Sequence, residues 1–176
     1  MKSKARKHAL VLAALLVASG ATLARGVYQQ PEAFISDAFA GKPPVATVLW
    51  LTGAMQPEIV RILRHPYALQ RVRFWHSGAR SAWVLEEVGK EEPITTGIIV
   101  NQGRIETVKI LIYRESRGDE VRYPAFTGQF KGAALTANQE LDRTIDGISG
   151  ATLSSHALTR LARLALYFDA RSREAK

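Results

Sequence analysis

The sequence predicts a single α+β domain, with an antiparallel sheet drawn from residues near 81–131 and helices packed around it. Three observations support this. A chain of 176 residues is long enough for one domain and a leader but not for two full domains. Its middle holds three β-rich runs parted by turn residues. Residues 151–168 repeat apolar side chains at three- and four-residue intervals, the mark of a one-sided helix. Apolar and charged contents of 47% and 23% suit a folded globular chain.

Residues 1–24 read as a signal peptide or an uncleaved anchor. Lys2, Lys4, Arg6 and Lys7 precede an apolar run from Ala9 to Ala18 with no acidic residue, and small residues follow. Cleavage fits after Ala21 or Ala24. Left uncleaved, residues 8–24 would make a short membrane anchor. The expected location is the periplasm, or the periplasmic face of the inner membrane. Loss of residues 1–21 lowers Lys+Arg from 24 to 20 against 16 acidic residues, so net charge falls from +8 to +4. That mild excess suits acidic partners or anionic lipid. No basic run is interleaved with aromatics, which argues against nucleic acid as a partner.

Residues 25–80 are expected to form a helical and irregular N-terminal part. Pro31 and Pro43-Pro44 punctuate a short helical stretch around Ala33–Ala40. Met55 to Leu63 predicts a helix with Pro57 in its first turn and Ile59, Ile62 and Leu63 on one side. Leu69 to Trp75 fits either strand or helix. Residues 81–170 are expected to be the core of the domain. Strands are predicted at Ser81–Val88, Thr95–Val100 and Arg104–Tyr113, the last two joined by an Asn101-Gln102-Gly103 hairpin turn. Ile105, Val108, Ile110 and Ile112 carry the apolar load of the third strand, and residues 114–132 read as a loop.

The final helix places Leu153, Ala157, Leu158, Leu161, Leu164, Ala165 and Phe168 on one apolar face. Just before it stands Asp146-Gly147-Ile148-Ser149-Gly150-Ala151-Thr152. Thr152 then falls in the first turn, where unpaired N–H groups and the helix dipole favour a phosphate. Gly150 and Ala151 leave its hydroxyl open to approach, and Asp146 can fold the turn by accepting backbone N–H bonds. An ordinary helix start with Ser149 as N-cap accounts for Ser149 and Asp146, but has no use for Gly-Ala-Thr. Ser19-Gly20-Ala21-Thr22-Leu23 repeats the letters of Ser149–Leu153, yet Leu16 stands where Asp146 stands in the second copy. The first copy reads as coincidence.

Other chemistry is largely excluded. Cysteine is absent, which removes disulfides, thiolate metal sites and iron–sulfur clusters. His8, His65, His76 and His156 lack metal spacing. His156, four residues past Thr152, either faces a phosphate or sits half-buried on the helix. No histidine is paired with nearby carboxylates and no nucleotide-binding Gly-x-Gly-x-x-Gly occurs, so no catalytic residue is assigned.

The stretch Asp-x-x-Ser-Gly-Ala-Thr resembles the site where FMN-binding domain proteins carry flavin as a phosphoester on the final threonine, installed by a flavin transferase. Thr96-Gly97-Ile98-Ile99-Val100 with Gly103-Arg104-Ile105-Glu106 is similar to that family's glycine-bearing strand pair. Gln129-Phe130-Lys131-Gly132 is similar to its Gln-Phe-x-Gly segment. Tyr113-Arg114-Glu115-Ser116-Arg117-Gly118 lies where better-known members have a His-Glu-Thr-Pro-Gly-like stretch, and lacks the Thr-Pro pair. Those members include the flavin-bearing subunits of the sodium-pumping NADH:quinone oxidoreductase and of the Rnf complex.

The resemblance implies covalent FMN on Thr152, with Asp146, Ser149, Gly150 and Ala151 shaping the site. It implies flavin contacts from Glu115 and Ser116, and ring cover from Phe126 or Phe130, which as aromatics are otherwise core. Lys131 and Arg143 become candidates to balance the phosphate charge. The implied role is an extracytoplasmic electron carrier between a membrane-bound donor and a periplasmic or membrane acceptor such as a cytochrome. A flavin-dependent reductase of a small periplasmic substrate, and a non-redox exported binding module, are the alternatives.

Overall fold

The computed structural model describes residues 26–174, so the leader and its Ser19–Leu23 copy lie outside the described residues. Five strands, β1 (Thr47–Trp50), β2 (Arg71–Ser77), β3 (Arg80–Val88), β4 (Pro93–Asn101) and β5 (Arg104–Tyr113), form one antiparallel sheet in the order of the chain. Short connections between β-branched runs favour this meander. Gln102 and Gly103 turn β4 into β5 with φ of 51° and 70°. Positive values at both positions suit a two-residue hairpin, because that turn follows the twist of its strands.

Helix α1 (Pro31–Ala38) lies on one face of the sheet, while α2 (Gln56–Leu63) and α4 (Thr152–Glu174) pack on the other. The main core joins Ile59 and Ile62 of α2, Leu158, Leu161 and Phe168 of α4, and Trp83, Ile98 and Ile110 of the sheet. A smaller core sets Phe34, Ile35 and Ala38 against Ala82, Ile99 and Leu111. With both faces covered, β4 is buried from Ile94 to Val100, which is why it reads as a near-continuous apolar run. Each fully buried Leu contributes about 1.5–3 kcal/mol. At its far end α4 is tied to β3 by a buried polar chain. The Trp83 indole donates to Ser81 Oγ (2.8 Å), Ser81 donates to Asp169 (2.6 Å), and Arg173 closes on the same carboxylate (2.8 Å).

The α+β class stands, with three corrections to its parts. The sheet begins at residue 47 rather than near 81, because β1 and β2 lie within the stretch expected to be helical and irregular. Val72 and Phe74 of β2 enter the core while Arg71 and Arg73 point away. The sheet also ends at Tyr113. Residues 119–130 instead fold into short helical turns, α3 (Pro124–Thr127) among them. Within β5, pairing irregularities opposite Thr95/Thr96 and Ile99/Val100 shift the alternation. Ile105, Val108, Ile110 and Tyr113 therefore face the main core, and Ile112 is left half-buried.

Strand β2 pairs with β1 over Arg71–Phe74 but with β3 only over Phe74–Ser77. The unpaired stretch opens a groove of about 1180 Å³ along Val72, Trp75, Val84 and Leu85. Among the described residues, no helix is long and apolar enough to cross a membrane.

Candidate functional site

The segment before α4 ends in a tight turn. Gly150 has φ of 83°, and a Cβ there would meet nothing within 4 Å. The left-handed backbone, rather than lack of space, selects glycine. Ala151 follows, buried against Gly118, and its N–H bonds back to the Ile148 carbonyl (3.0 Å). Thr152, the first residue of α4, is exposed, and Leu153 beside it is 50% exposed. The hydroxyl of Thr152 thus stands at the N-terminus of a 23-residue helix, where backbone N–H groups and the dipole attract anions.

Three segments meet there and enclose a cleft of about 500 Å³: residues Gly150–Ser154, the 115–117 loop, and Lys90 and Glu91 of the β3–β4 turn. Its size lies within the range of small-molecule sites. Glu115 holds the turn in place. Its Oε1 accepts the backbone N–H groups of Lys90 (2.5 Å), Glu91 (2.8 Å) and Glu92 (3.1 Å). Burial works against the Glu115 charge, but these three donors and the Lys90 ammonium outweigh it and hold the carboxyl below its ordinary value. A Cβ on Gly89 would lie 2.9 Å from that oxygen, so the approach needs glycine.

Tyr113 ties the loop to the helix. Its hydroxyl donates to the Arg117 carbonyl (2.6 Å) and lies 3.0 Å from Ser154 Oγ. Burial raises the Tyr113 phenol above its usual value, while the bond with Ser154 pulls it back.

The segment ahead of Thr152 is held by two other side chains. The Asp146 N–H donates to Gln129 Oε1 (2.7 Å), and Gln129 Nε2 donates back to the Asp146 carbonyl (3.2 Å). Ser155 Oγ accepts the Ile148 N–H (3.2 Å) and donates to the Ala151 carbonyl (3.0 Å).

Five of the expected site residues converge on the cleft: Glu115, Ser116, Gly150, Ala151 and Thr152. Asp146 and Ser149 are exposed on the approach to it. Ser149 does not cap α4, which starts three residues later, and the Asp146 side chain makes no turn bond among the described residues. Phe130 is fully buried, edge-on to Phe126 at 5.6 Å between ring centres. Both rings belong to the core, and neither lines the cleft. Lys131 and Arg143 also lie outside it; Arg143 donates to the Lys131 carbonyl (2.8 Å).

Glu115 does not pair with its neighbouring arginines. Arg114 bonds Pro93 O and Thr95 Oγ1 instead. His156 is exposed rather than half-buried. Against expectation, one histidine does have a carboxylate partner: His65 Nε2 lies 3.0 Å from Glu87, which also accepts from Arg160 (2.8 Å).

Lys90, Arg117 and Leu153 line the cleft unforeseen. The Gly89–Pro93 stretch reads only as a turn, and the periodicity assigns Leu153 to the buried face. Leu153 is exposed because the first turn of α4 borders the cleft. Only contacts across the fold reveal these roles. The cleft has mixed charge and an apolar lip: Glu91 and Glu115 stand in its lining beside Lys90 and Arg117, and Lys90 pairs with Glu91 at 3.0 Å. Lys90 and Arg117 supply cations, the helix start supplies dipole and N–H groups, and Leu153 supplies apolar surface. A flavin mononucleotide, with its phosphate and its flat apolar ring system, fits that donor set. Among the described residues no cluster of side chains suits a metal ion.

No curated protein matches this chain. Residues 89–167 match the family model of the FMN-binding domain. The matched span begins at the turn held by Glu115, takes in Ser116 and Arg117, and ends within α4, so all three walls of the cleft fall inside it. From Gly89 to Tyr167, a little under half of the chain, the protein is similar to the FMN-binding domain family.

Proposed function

We propose that the protein is an extracytoplasmic electron-transfer flavoprotein that carries FMN on Thr152 through a phosphoester bond. The observation that carries this reading is the exposed Thr152 hydroxyl at the N-terminus of α4, opening on the cleft. In the attachment step Thr152 Oγ1 forms a bond to the FMN phosphorus. The donor is an FMN phosphate activated as an anhydride on a flavin transferase. Its P–O anhydride bond breaks, the nucleotide half leaves, and the threonine proton passes to a base on the transferase.

Bound flavin supplies one- and two-electron redox chemistry. The residues of this chain position it. The start of α4 and Arg117, with Lys90 beside its partner Glu91, would face the phosphate charge, and Leu153 would offer apolar surface to the ring. Glu115 keeps its charge and spends one oxygen on the turn, so it acts as a brace rather than as a proton donor. Covalent linkage suits an exported protein, because a dissociable cofactor is lost by mass action where it is dilute. The leader pattern of residues 1–24 supports export. Electrons would come from a membrane-bound donor and pass to a periplasmic or membrane acceptor such as a cytochrome.

Co-expression with and without a flavin transferase, followed by peptide mass mapping, tests the proposal. FMN minus water is expected on the peptide spanning residues 144–160 and nowhere else. Thr152→Ala should lose the flavin and keep its fold, since an exposed first-turn threonine contributes little packing. Flavin retained after denaturation of that variant would sink the assignment. N-terminal sequencing of a periplasmic extract should find chains that start near residue 22 or 25.

A further inference from the structure

We infer that Ser155 and Gln129 are positioning residues for flavin attachment, each clamping one part of the segment that presents Thr152. The inference rests on the proposed attachment at Thr152. Ser155 is 2% exposed and lies one turn into α4, on the side away from solvent. Its hydroxyl meets the segment twice, accepting from the Ile148 N–H at 3.2 Å and donating to the Ala151 carbonyl at 3.0 Å. The two partners are the ends of the Ile148–Ala151 turn, itself closed by the bond between the Ala151 N–H and the Ile148 carbonyl. One oxygen therefore fixes the separation of the turn's ends, and with it the path through Gly150 into the helix. Gln129 does the same for the turn's entry. Its amide forms a two-way bridge to the backbone of Asp146, at 2.7 and 3.2 Å.

The motif's acidic residue is thus held by its backbone, and its side chain stays exposed toward solvent. Without such clamps the segment would have to rely on itself. Gly150 permits many torsions, and Ser149, Gly150 and Asp146 are all exposed. A phosphoryl transfer requires its nucleophile in line with the leaving group, so a loop that wanders lowers the fraction of productive encounters. Ser155 restricts that wandering from beneath, where it does not obstruct the face a transferase must reach, and Gln129 restricts it at the backbone of Asp146. Neither touches the flavin in this reading, and neither is a catalytic group.

The test uses the full chain with a flavin transferase and its flavin donor, and measures the rate of flavin attachment against chain concentration. Ser155→Ala is compared with Ser155→Thr, Gln129→Ala and Thr159→Val. Thr159→Val is the stability control, because Thr159 makes a similar bond within α4 (Oγ1 to Ser155 O, 2.9 Å) without touching the segment. Ser155→Ala and Gln129→Ala should each lower the attachment rate about tenfold. The loss should fall mainly on the saturated rate, and Ser155→Thr, which restores the hydroxyl, should recover most of it. Thr159→Val should attach flavin as the wild type does. In chains bearing no flavin, hydrogen exchange at the Ile148 amide should quicken in Ser155→Ala and at the Asp146 amide in Gln129→Ala.

Gln129 is a partly exposed side chain, so its variant keeps the test open should Ser155→Ala fail to fold. Wild-type attachment rates in folded Ser155→Ala and Gln129→Ala would overturn the positioning role alone. A wild-type chain that takes no flavin on Thr152 would overturn the functional reading, and this inference with it.

Discussion

Replacing Glu87 with Gln should weaken the fold, and the loss should depend on pH. The Glu87 side chain is only 3% exposed and is held between two cations. Arg160 reaches Oε1 at 2.8 and 3.2 Å, and His65 Nε2 lies 3.0 and 3.1 Å from the two oxygens. The trio joins α4 and the end of α2 to β3. An isosteric amide keeps its oxygen for Arg160 but turns its N–H groups toward His65 Nε2, which is a donor when the ring is protonated, and it removes the charge that both partners face. Removing one partner of a buried pair costs about 3–5 kcal/mol. Here Arg160 and His65 keep 22% and 48% of their surface, so water recovers part of that loss. About 2 kcal/mol remains, a fall of about 4–8 °C in Tm for a chain of this size.

The pH dependence follows from His65. Its pKa is raised first by the bond to the Pro66 carbonyl and then by the bond to Glu87. The folded state therefore holds this proton more tightly than the unfolded chain does. The stabilisation is fully present below the ordinary value of 6.5 and disappears as pH climbs through the raised one. The gap between wild type and Glu87→Gln should be wider at about pH 5.5 than at about pH 8.5. Thermal melts followed by circular dichroism at both values measure it. Equal melting temperatures at the lower pH would refute the argument, as would a gap that does not change with pH.

Three further substitutions probe other parts of the molecule. Leu161→Asp removes a fully buried side chain from the main core and sets a carboxylate there. A loss of about 4 kcal/mol or more is expected, and wild-type melting would show that this helix face is misassigned. Gly150→Ala should cost about 1–2 kcal/mol from the left-handed backbone alone, read by denaturant titration. A neutral result would mean that the turn relaxes. Glu115→Ala should free the amides of residues 90–92 to exchange faster while overall stability falls by only about 1 kcal/mol, because water can reach the freed donors. Glu115's charge stabilises the fold above its ordinary value of 4.5, and that contribution is lost as pH falls through the lowered one. Protection of the 90–92 amides, taken relative to their intrinsic exchange at each pH, should therefore fall in acid in the wild type and change less in Glu115→Ala.

The strands from Arg80 to Tyr113 and helix α4 are legible in the sequence, because alternation, the Gln102-Gly103 turn and the three-to-four spacing are local signals. Strand β1 is not. Four residues carry no period, and Val48 and Trp50 remain exposed. Along β5 the alternation is readable, but the two irregularities that move Ile112 out of the main core depend on the pairing with β4. At the site, Thr152 and Gly150 announce themselves through residue type. Phe130 does not, since an aromatic suits a core as well as a cleft. The braces are hidden for a different reason. Glu115 spends its oxygen on amides 23–25 residues away, and Gln129 on a backbone 17 residues away. Amides have no sequence signature, so such ties become visible only when the chain has folded.

The bond chain from Trp83 through Ser81 to Asp169 fixes the end of α4 opposite Thr152. A helix of 23 residues is a rod about 34 Å long, and this one is seated in the core for nearly its whole length. Whatever is esterified to its first residue would hang from a fixed beam rather than from a hinge. The only play left would be in the threonine side chain and the pendant group itself. A redox partner would then meet its cofactor at a nearly constant offset from the protein surface. The reach of electron delivery would be a property of the tether, and tuning it would require changing the tether or the partner, not the domain.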